Sequence, residues 1–321
     1  MNRVLIIGAG AQGNVVGWVL SRAAEVAGIV LADIDPARAE ETARSLTSDK
    51  VRVARADASR VEETAALIRQ GEFNLVVNVA LPEFIPQVME ATRLAGRHYL
   101  DLSSLRCYEI DGQPIEQLAH AGEWEASGRT ALVNAGSAPG LTNIMAREGA
   151  EALDTVDRIE IKDYSITDSD AFLGLWSLPV FVSDCATEPW IWEDGRPRRV
   201  PIFSGGETVD FPAPIGAPGK VYLHAHEEPV TIPLFVGKPV RYCDYKIGDP
   251  SIDTWRFIVQ DLGLMDERPL EVGGVRVRPR DVLLRKLPPT PSPQHVRRMA
   301  AEGRLKSRCI MMCDVSGRKD D

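Results

Sequence analysis

The sequence is poor in cysteine, in positive charge and in long apolar stretches. It has five cysteines in 321 residues and no C-x-x-C pair, which argues against a disulfide framework and against a zinc site. The formal net charge is −9 and no basic stripe is present, so we expect no nucleic-acid partner. No apolar run is long enough to span a membrane, and the N-terminus carries no signal-peptide pattern. We therefore expect a cytoplasmic globular protein with a small-molecule partner.

The length and composition favour two domains. The chain has 321 residues, of which 44% are hydrophobic, enough for more than one core. Strand and helix patterns alternate through residues 1–150, which predicts an α/β domain with a doubly wound parallel Rossmann sheet. Residues 151–321 are rich in strand patterns with few helices, which predicts an α+β domain on a mixed or antiparallel sheet. Within it, "PLEVGGVRVRP" indicates a Gly-Gly hairpin, and the Pro- and Gly-rich span 189–220 indicates a long loop.

A glycine-rich turn follows the first strand pattern. The apolar run "VLII" leads into Gly8, Gly10 and Gly13, which have the spacing G-x-G-x-x-G. The first glycine permits a tight turn, the second permits close approach of a pyrophosphate, and the third permits helix packing against the strand. A helix that begins here presents free N–H groups to the phosphates. The motif alone is weak, because a Gly-rich turn can also simply join a strand to a helix.

An acidic residue at the end of the second strand pattern strengthens the dinucleotide interpretation. Asp33 lies in "GIVLADID", 20 residues after Gly13, where a carboxylate binds the ribose hydroxyls and repels a 2′-phosphate. Residue 34 is Ile rather than the Arg expected of an NADP site, although Arg38 is close in sequence and leaves NADP open. We expect NAD as the cofactor, with a helix cap as the alternative role of Asp33.

Ligands of doubly wound sheets bind at the carboxyl ends of the strands. We therefore expect the cofactor-binding residues at the glycine turn and at the ends of the next strands, as follows: Gly8, Gly10, Ala11, Gln12, Gly13, Asp33, Ile34, Asp57, Ala58, Val79, Ala80, Leu81 and Pro82.

Several segments together resemble the saccharopine dehydrogenase family, and the match covers nearly the whole chain. They are "GAGAQGNVVGWVL", "LADIDPARAE", "NLVVNVALPEF", "AGRHYLDLSS", "VNAGSAPGLTNIMA", "HAHEEPVTIP" and "VRVRPRDVLL". Within that family, the length and the "PRDVLL" region are most similar to lysine 6-dehydrogenases. The resemblance implies NAD(P)-dependent oxidoreduction of a CH–NH or CH–NH2 bond in an amino acid or opine. Members of the family normally continue past "RCIMMCDVSGRKDD", which suggests a truncated C-terminus.

Such chemistry needs a base or a water-positioning group near the amine. Asp101, at the end of a strand, is the first candidate, with an Asx cap at the strand end as the alternative role. His226 and Glu227 in "HAHEEPVTIP" are candidates for an acid–base pair, with a solvated strand face that bulges at Pro229 as the alternative. If this segment is a strand, His224 and Glu228 share the face of His226. A His-x-His-x-Glu face could also bind a metal, but hydride transfer needs none, and we expect no metal.

The candidate substrate residues lie at a strand exit of the first domain and in the second domain. They are Ser103, Asp163, Tyr164 and Trp176. Lys246 could pair with a substrate carboxylate, with an ordinary surface lysine as the alternative.

Three functions remain open from the sequence. Lysine-type oxidation of an ω-amine is the first. The second is an NADPH-dependent reductase that condenses an oxo acid or semialdehyde with an amine, as saccharopine and carboxynorspermidine reductases do. The third is a non-catalytic NAD-binding regulatory protein. A homodimer is expected in each case, because closed two-fold assemblies are the commonest.

Overall fold

The computed structural model describes residues 1–105, 107 and 113–320. The chain packs as two compact units. The first comprises Met1–Leu141 with Ser292–Gln294, and the second comprises Thr142–Pro291 with His295–Asp321.

The first unit is built on a six-stranded parallel sheet. Its strands are β1 (Asn2–Ile7), β2 (Val26–Asp33), β3 (Val51–Arg55), β4 (Leu75–Asn78), β5 (His98–Asp101) and β6 (Ala131–Leu132). They lie in the order β3-β2-β1-β4-β5-β6, which is the doubly wound Rossmann order. The predicted fold class is therefore confirmed for this unit.

Helices connect these strands, as parallel pairing requires. They are α1 (Ala11–Arg22), α2 (Pro36–Leu46), α3 (Val61–Gln70), α4 (Ile85–Leu94) and α5 (Ala121–Ala126), with 3₁₀ turns at Pro82–Phe84 and Glu116–His120. Strand β1 reads as a continuous apolar run because both of its faces are covered, and Val4 to Ile7 are at most 2% exposed.

The second unit is built on a mixed sheet. The strands after residue 150 are β7 (Thr155–Ser169), β8 (Trp190–Glu193), β9 (Arg196–Arg199), β10 (Glu207–Asp210), β11 (Pro218–Leu223), β12 (Val240–Gly248), β13 (Leu270–Val272), β14 (Val275–Val277) and β15 (Leu305–Arg318). Seven of them form one sheet, with β10-β11-β12-β7-β15 in line and β8 and β9 attached at β12. Only β7 and β12 pair in parallel. The predicted α+β unit on a mixed sheet is confirmed.

Six further helices complete the described chain. They are α6 (Leu141–Glu151), α7 (Leu178–Cys185), α8 (Glu228–Phe235), α9 (Ile252–Arg256), α10 (Pro279–Lys286) and α11 (Pro293–Ala301), and a π-helical turn, Phe257–Asp261, follows α9. None of the helices in the described chain is both long enough and apolar enough to cross a membrane.

The division between the units falls nine residues before the sequence-based boundary at 150, since it lies after Leu141. The reason is that α6 packs within the second unit. Thr142 Oγ1 donates a hydrogen bond to Glu228 Oε1 at 2.7 Å, and Gly149 lies against Val315.

Two local predictions about the second unit are wrong and one is confirmed. The span 189–220 is not a long loop, because β8, β9 and β10 lie within it. The segment after Leu223 is not a continued strand, because α8 begins at Glu228. The β13–β14 hairpin is present, with Gly273 and Gly274 both at positive φ, as its turn requires.

Candidate active site

The glycine turn between β1 and α1 has a geometry that only glycine satisfies at two of its three positions. Gly8 has φ +105°, and a Cβ there would lie 2.7 Å from the carbonyl oxygen of Val79. A Cβ at Gly13 would lie 2.0 Å from the carbonyl oxygen of Gly8. Both positions therefore bring backbone segments closer together than any side chain permits.

Gly10 is different, because it faces open space. A Cβ there would meet no protein atom within 4 Å. Gly10 is also the N-cap of α1, with no capping side chain and no acidic residue in the first helical turn. The N–H groups at the start of the helix thus face a volume that protein atoms do not fill, which fits the pyrophosphate of a dinucleotide.

Asp33 links the end of β2 to this turn. It is buried, and its carboxylate accepts hydrogen bonds from the backbone N–H of Ala9 at 2.9 Å and of Asp35 at 3.0 Å. Each carboxylate oxygen retains a lone pair, so the group can also accept from ribose hydroxyls. Ile34 is 57% exposed and Arg38 is exposed on α2.

The other expected cofactor residues lie at the carboxyl ends of strands of the same sheet. Ala11 and Gln12 begin α1, Asp57 and Ala58 follow β3, and Val79 to Pro82 follow β4. The Asp57 carboxylate accepts from the N–H and hydroxyl of Ser59, and the hydroxyl bond is the main cause of its lowered pKa. The structure therefore brings the expected set to one edge of the sheet, and its role in binding stays a prediction.

The carboxylate of Asp101, the first catalytic candidate, is buried and hydrogen-bonded within the first unit. It is 1% exposed, and its carboxylate accepts from the Asn134 N–H at 2.8 Å and from Gln117 Nε2 at 3.1 Å. Burial raises its pKa to about 6, although these hydrogen bonds oppose the shift. Because both oxygens are engaged and enclosed, the arrangement favours the alternative role, a cap at the end of β5. The neighbouring Ser103 is half-buried, and its carbonyl accepts from Gln117 Nε2 at 2.9 Å.

The second unit contains a buried cluster of ionisable groups around His226. This residue lies between β11 and α8. Glu227 and Glu228, which follow it, are at the N-terminus of α8. His226 Nδ1 lies 3.5 Å from Glu227 Oε2 and makes a short hydrogen bond to Glu228 Oε2. Glu228 is fully buried, and its other oxygen accepts from Thr142. Strand alternation predicts that His226 and Glu228 share one face of a strand. They do lie together, but because a loop leads into the N-terminus of α8.

The His226 ring also stacks on Tyr245, with ring centroids 3.8 Å apart and an interplanar angle of 12°. Tyr245 donates its hydroxyl hydrogen to Asp163 Oδ2 at 3.3 Å. Burial opposes charge on the imidazole, but the adjacent Glu228, with Glu227 and Asp184, overcomes it and raises the pKa of His226 to about 9. His226 is therefore an imidazolium at neutral pH. Its Nε2 has no hydrogen-bond partner among the described residues and can donate a proton.

Two further carboxylates face this imidazolium. Burial raises the pKa of Asp163, and the charge of His226 partly offsets the shift. Burial also raises the pKa of Asp184 to about 7, with His226 opposing and Glu227 adding to the shift. By contrast, burial lowers the pKa of His224 to about 3, so that residue is neutral, and it stacks on Phe181 with centroids 5.8 Å apart. The site can thus hold a cation and exchange protons near neutral pH.

Not every expected substrate residue joins the cluster. Successive residues of β7 point to opposite faces of the sheet, so Tyr164 lies away from Asp163 and stacks on Phe211 at 4.8 Å. Its predicted substrate role is wrong for this cluster. Trp176 is 49% exposed and makes none of the described cluster contacts. Lys246 is neither a surface residue nor available to a substrate, because it is buried and paired with Glu207 and Asp244.

His226, Glu227 and Glu228 could also bind a metal ion on distance alone, since one ligand atom of each lies within 4.8 Å of the others. A metal would have to displace the proton that Glu228 stabilises on His226, and metal ligation requires the neutral imidazole. We therefore still predict no metal here, because a metal ion would compete with the proton on His226.

Sequence reasoning missed Asp184, Tyr245 and Thr142. Each lies on an element distant in sequence from His226, and each reaches it only through tertiary packing. No spacing in the sequence connects them.

The strand order, the glycine turn and the acid at the end of β2 define the class of the protein. It is an NAD(P)-dependent oxidoreductase with a Rossmann dinucleotide-binding domain.

Comparison with known proteins shows what the chain is similar to. Residues 4–132 match the family described as "Saccharopine dehydrogenase NADP binding domain". The carboxynorspermidine synthase of Vibrio alginolyticus is 28% identical over 309 residues, with 89% of this chain and 72% of the relative covered. The carboxyaminopropylagmatine dehydrogenase of Synechocystis is 26% identical over 231 residues, with 71% of this chain and 58% of the relative covered. The chain is therefore similar to saccharopine dehydrogenase-like NAD(P)-dependent enzymes, and the family model matches its first unit.

Among solved structures, the fold is similar to the L-Glu-forming saccharopine dehydrogenase of Saccharomyces cerevisiae. The TM-score is 0.65 at 15% identity, with 84% of this chain covered. The chain spans 60% of the length of that enzyme.

Proposed function

We propose that the protein is a reductase that joins a semialdehyde to a polyamine-type amine through a new CH–NH bond. The observation that carries the proposal is the buried imidazolium of His226 among the carboxylates of Asp163, Asp184, Glu227 and Glu228. A site with more carboxylates than cations fits an amine substrate, which is itself a cation. The relatives named for carboxynorspermidine and carboxyaminopropylagmatine support a polyamine or agmatine as that amine.

The reaction balances in two steps. The amine nitrogen attacks the aldehyde carbon, and the carbonyl oxygen leaves as water to give an imine. One hydride and one proton then reduce the C=N bond to a secondary amine. The residues of the glycine turn would hold NAD(P)H, which would supply the hydride.

The residues of the second unit have distinct roles in this proposal. His226 Nε2–H is the acid that protonates the departing oxygen. Glu228 keeps the imidazole charged and oriented through Nδ1, so that Nε2 carries the transferable proton. Glu227 and Asp184 take up a proton or bind the ammonium group of the amine.

The alternative is oxidation of lysine at its ω-amine, the first function that the sequence suggested. It uses the same groups in the reverse sense, with the amine losing hydride and proton. The relative named as a synthase supports condensation, the relative named as a dehydrogenase fits either direction, and lysine oxidation stays a prediction.

Purified protein should be assayed in both directions. The reductive arm combines NADH or NADPH with aspartate semialdehyde and a panel of amines that includes agmatine and propane-1,3-diamine. The oxidative arm combines NAD or NADP with lysine and other amino acids. Turnover in the reductive arm with a dicationic amine supports the proposal. Turnover with lysine alone overturns it, and cofactor binding without turnover in either arm favours a regulatory protein.

For the cofactor, we propose a preference for NAD over NADP, supported by Asp33 beside the exposed Ile34. Asp33→Asn removes the charge that repels a 2′-phosphate while keeping an acceptor for the Ala9 N–H. We expect kcat/KM for the NADP couple relative to the NAD couple to rise roughly tenfold, about 1.4 kcal/mol of discrimination. Asp49→Asn, at an exposed position, is the matched control. An unchanged ratio in the Asp33 variant would contradict the proposed preference.

A further inference from the structure

Asp184 is a carboxylate that the described protein leaves without a direct partner. It lies near the end of α7, three residues after Phe181 and on the same face of the helix. Phe181 stacks on His224, and His224 lies 6.4 Å from His226 between ring centroids. The packing of α7 on the segment around His226 therefore directs Asp184 toward that cluster.

One cation, His226, acts on Asp184, and it is already paired with Glu228. Burial raises the pKa of Asp184, and within the described part of the chain His226 and Glu227 are the charged groups that act on it. Glu228 pairs directly with His226 and is itself held by Thr142. Asp163 is partnered by the Tyr245 hydroxyl. No hydrogen bond to the Asp184 carboxylate comes from any residue that the structure describes, so nothing offsets the burial that disfavours its charged form except the charge of His226.

We propose that Asp184 binds the distal cation of the amine substrate and so selects diamines and agmatine over monoamines. This inference rests on the proposed function. The amine that attacks an aldehyde must be neutral, but the second ammonium or guanidinium group of such a substrate stays charged. Asp184 is half-buried, and a carboxylate to which no described residue donates a hydrogen bond is the group that such a cation completes, because the cation favours its charged form.

Calorimetric titration of the full chain in the presence of NAD tests the role of Asp184 apart from turnover. The probes are agmatine and butane-1,4-diamine, with butylamine as the singly charged control. We expect the wild type to bind the two dicationic probes at least about tenfold more tightly than butylamine, and Asp184→Asn to remove that difference. Glu188→Gln, a change of one exposed charge four residues along the chain, should leave the difference intact.

The variant is expected to fold. Asn has the shape of Asp, and the change replaces a half-buried carboxyl group without leaving a directly paired cation alone, since Glu228 still pairs with His226. The Kd for NAD should therefore match that of the wild type. The denaturant midpoint should be equal to that of the wild type or higher. A preference for dicationic probes that persists in Asp184→Asn overturns the inference, and so does a wild type that binds no amine.

The outcomes separate the two proposals. Reductive turnover that is insensitive to Asp184 leaves the proposed function standing and overturns the selectivity role. Agmatine binding that depends on Asp184, without turnover on any semialdehyde, supports the cation site and overturns the proposed reaction.

Discussion

Glu228→Gln should lower the free energy of unfolding by about 3 kcal/mol near pH 6, the size expected when one partner of a buried ion pair is removed. Glu228 is fully buried. Its charge is the main one that raises the pKa of His226 to about 9 against the effect of burial. The amide cannot compensate the imidazolium, so the variant must either bury an unpaired cation or deprotonate His226. Denaturant unfolding of the two proteins measures the difference.

The destabilisation should depend on pH in a defined direction. The pKa of His226 in the folded protein, about 9, lies above the ordinary imidazole value of 6.5. Stability from the pair is therefore fully present below about pH 6.5 and is lost as the pH rises through about 9. The difference between wild type and Glu228→Gln should shrink over this interval, because above it His226 is neutral in both proteins.

Glu148→Gln is the matched control, since Glu148 is exposed on α6. We expect it to change the unfolding free energy by less than about 0.5 kcal/mol at every pH. A destabilisation by Glu228→Gln that is constant between about pH 6 and pH 9.5 would contradict the assigned pairing, because it would show a loss of packing or of the Thr142 hydrogen bond instead.

The Rossmann unit could be predicted almost entirely from the sequence because its signals are local. Parallel strands that are covered on both faces read as apolar runs, and the alternation of such runs with helices allows few topologies. The glycine turn is local for the same reason: Gly8 and Gly13 are required by contacts within a few residues or with the adjacent strand.

The cluster in the second unit could be predicted only in part. The sequence suggests His226 and Glu227 as a pair, but the pattern of "HAHEEPVTIP" predicts a continuing strand. Pro229 in the first turn of α8, after an acidic residue, was the signal for a helix start. The role of Asp101 could not be predicted from its position. A carboxylate at a strand end can cap the loop or face a ligand, and only its burial in the structure separates the two roles.

Gly10→Ala should weaken binding of NAD(H) and NADP(H) at least tenfold, about 1.4 kcal/mol, without destabilising the protein. Gly10 has φ −75°, which alanine adopts freely, and its Cβ would meet no protein atom within 4 Å. The methyl group would instead occupy the volume in front of the helix N-terminus, where the pyrophosphate is expected. Fluorescence titration with NADH and denaturant unfolding report the two quantities separately.

Gly13→Ala should behave differently, although it changes a glycine of the same motif. Its Cβ would lie 2.0 Å from the Gly8 carbonyl oxygen, so α1 must move away from the turn. We expect a loss of about 1–3 kcal/mol of stability together with weaker binding of the dinucleotide. Gly122→Ala, in α5 and without a neighbour within 4 Å, is the control that should leave NADH binding unchanged. If Gly10→Ala binds NADH as the wild type does, the open volume at the turn is not the pyrophosphate site, and the dinucleotide must contact the sheet edge elsewhere.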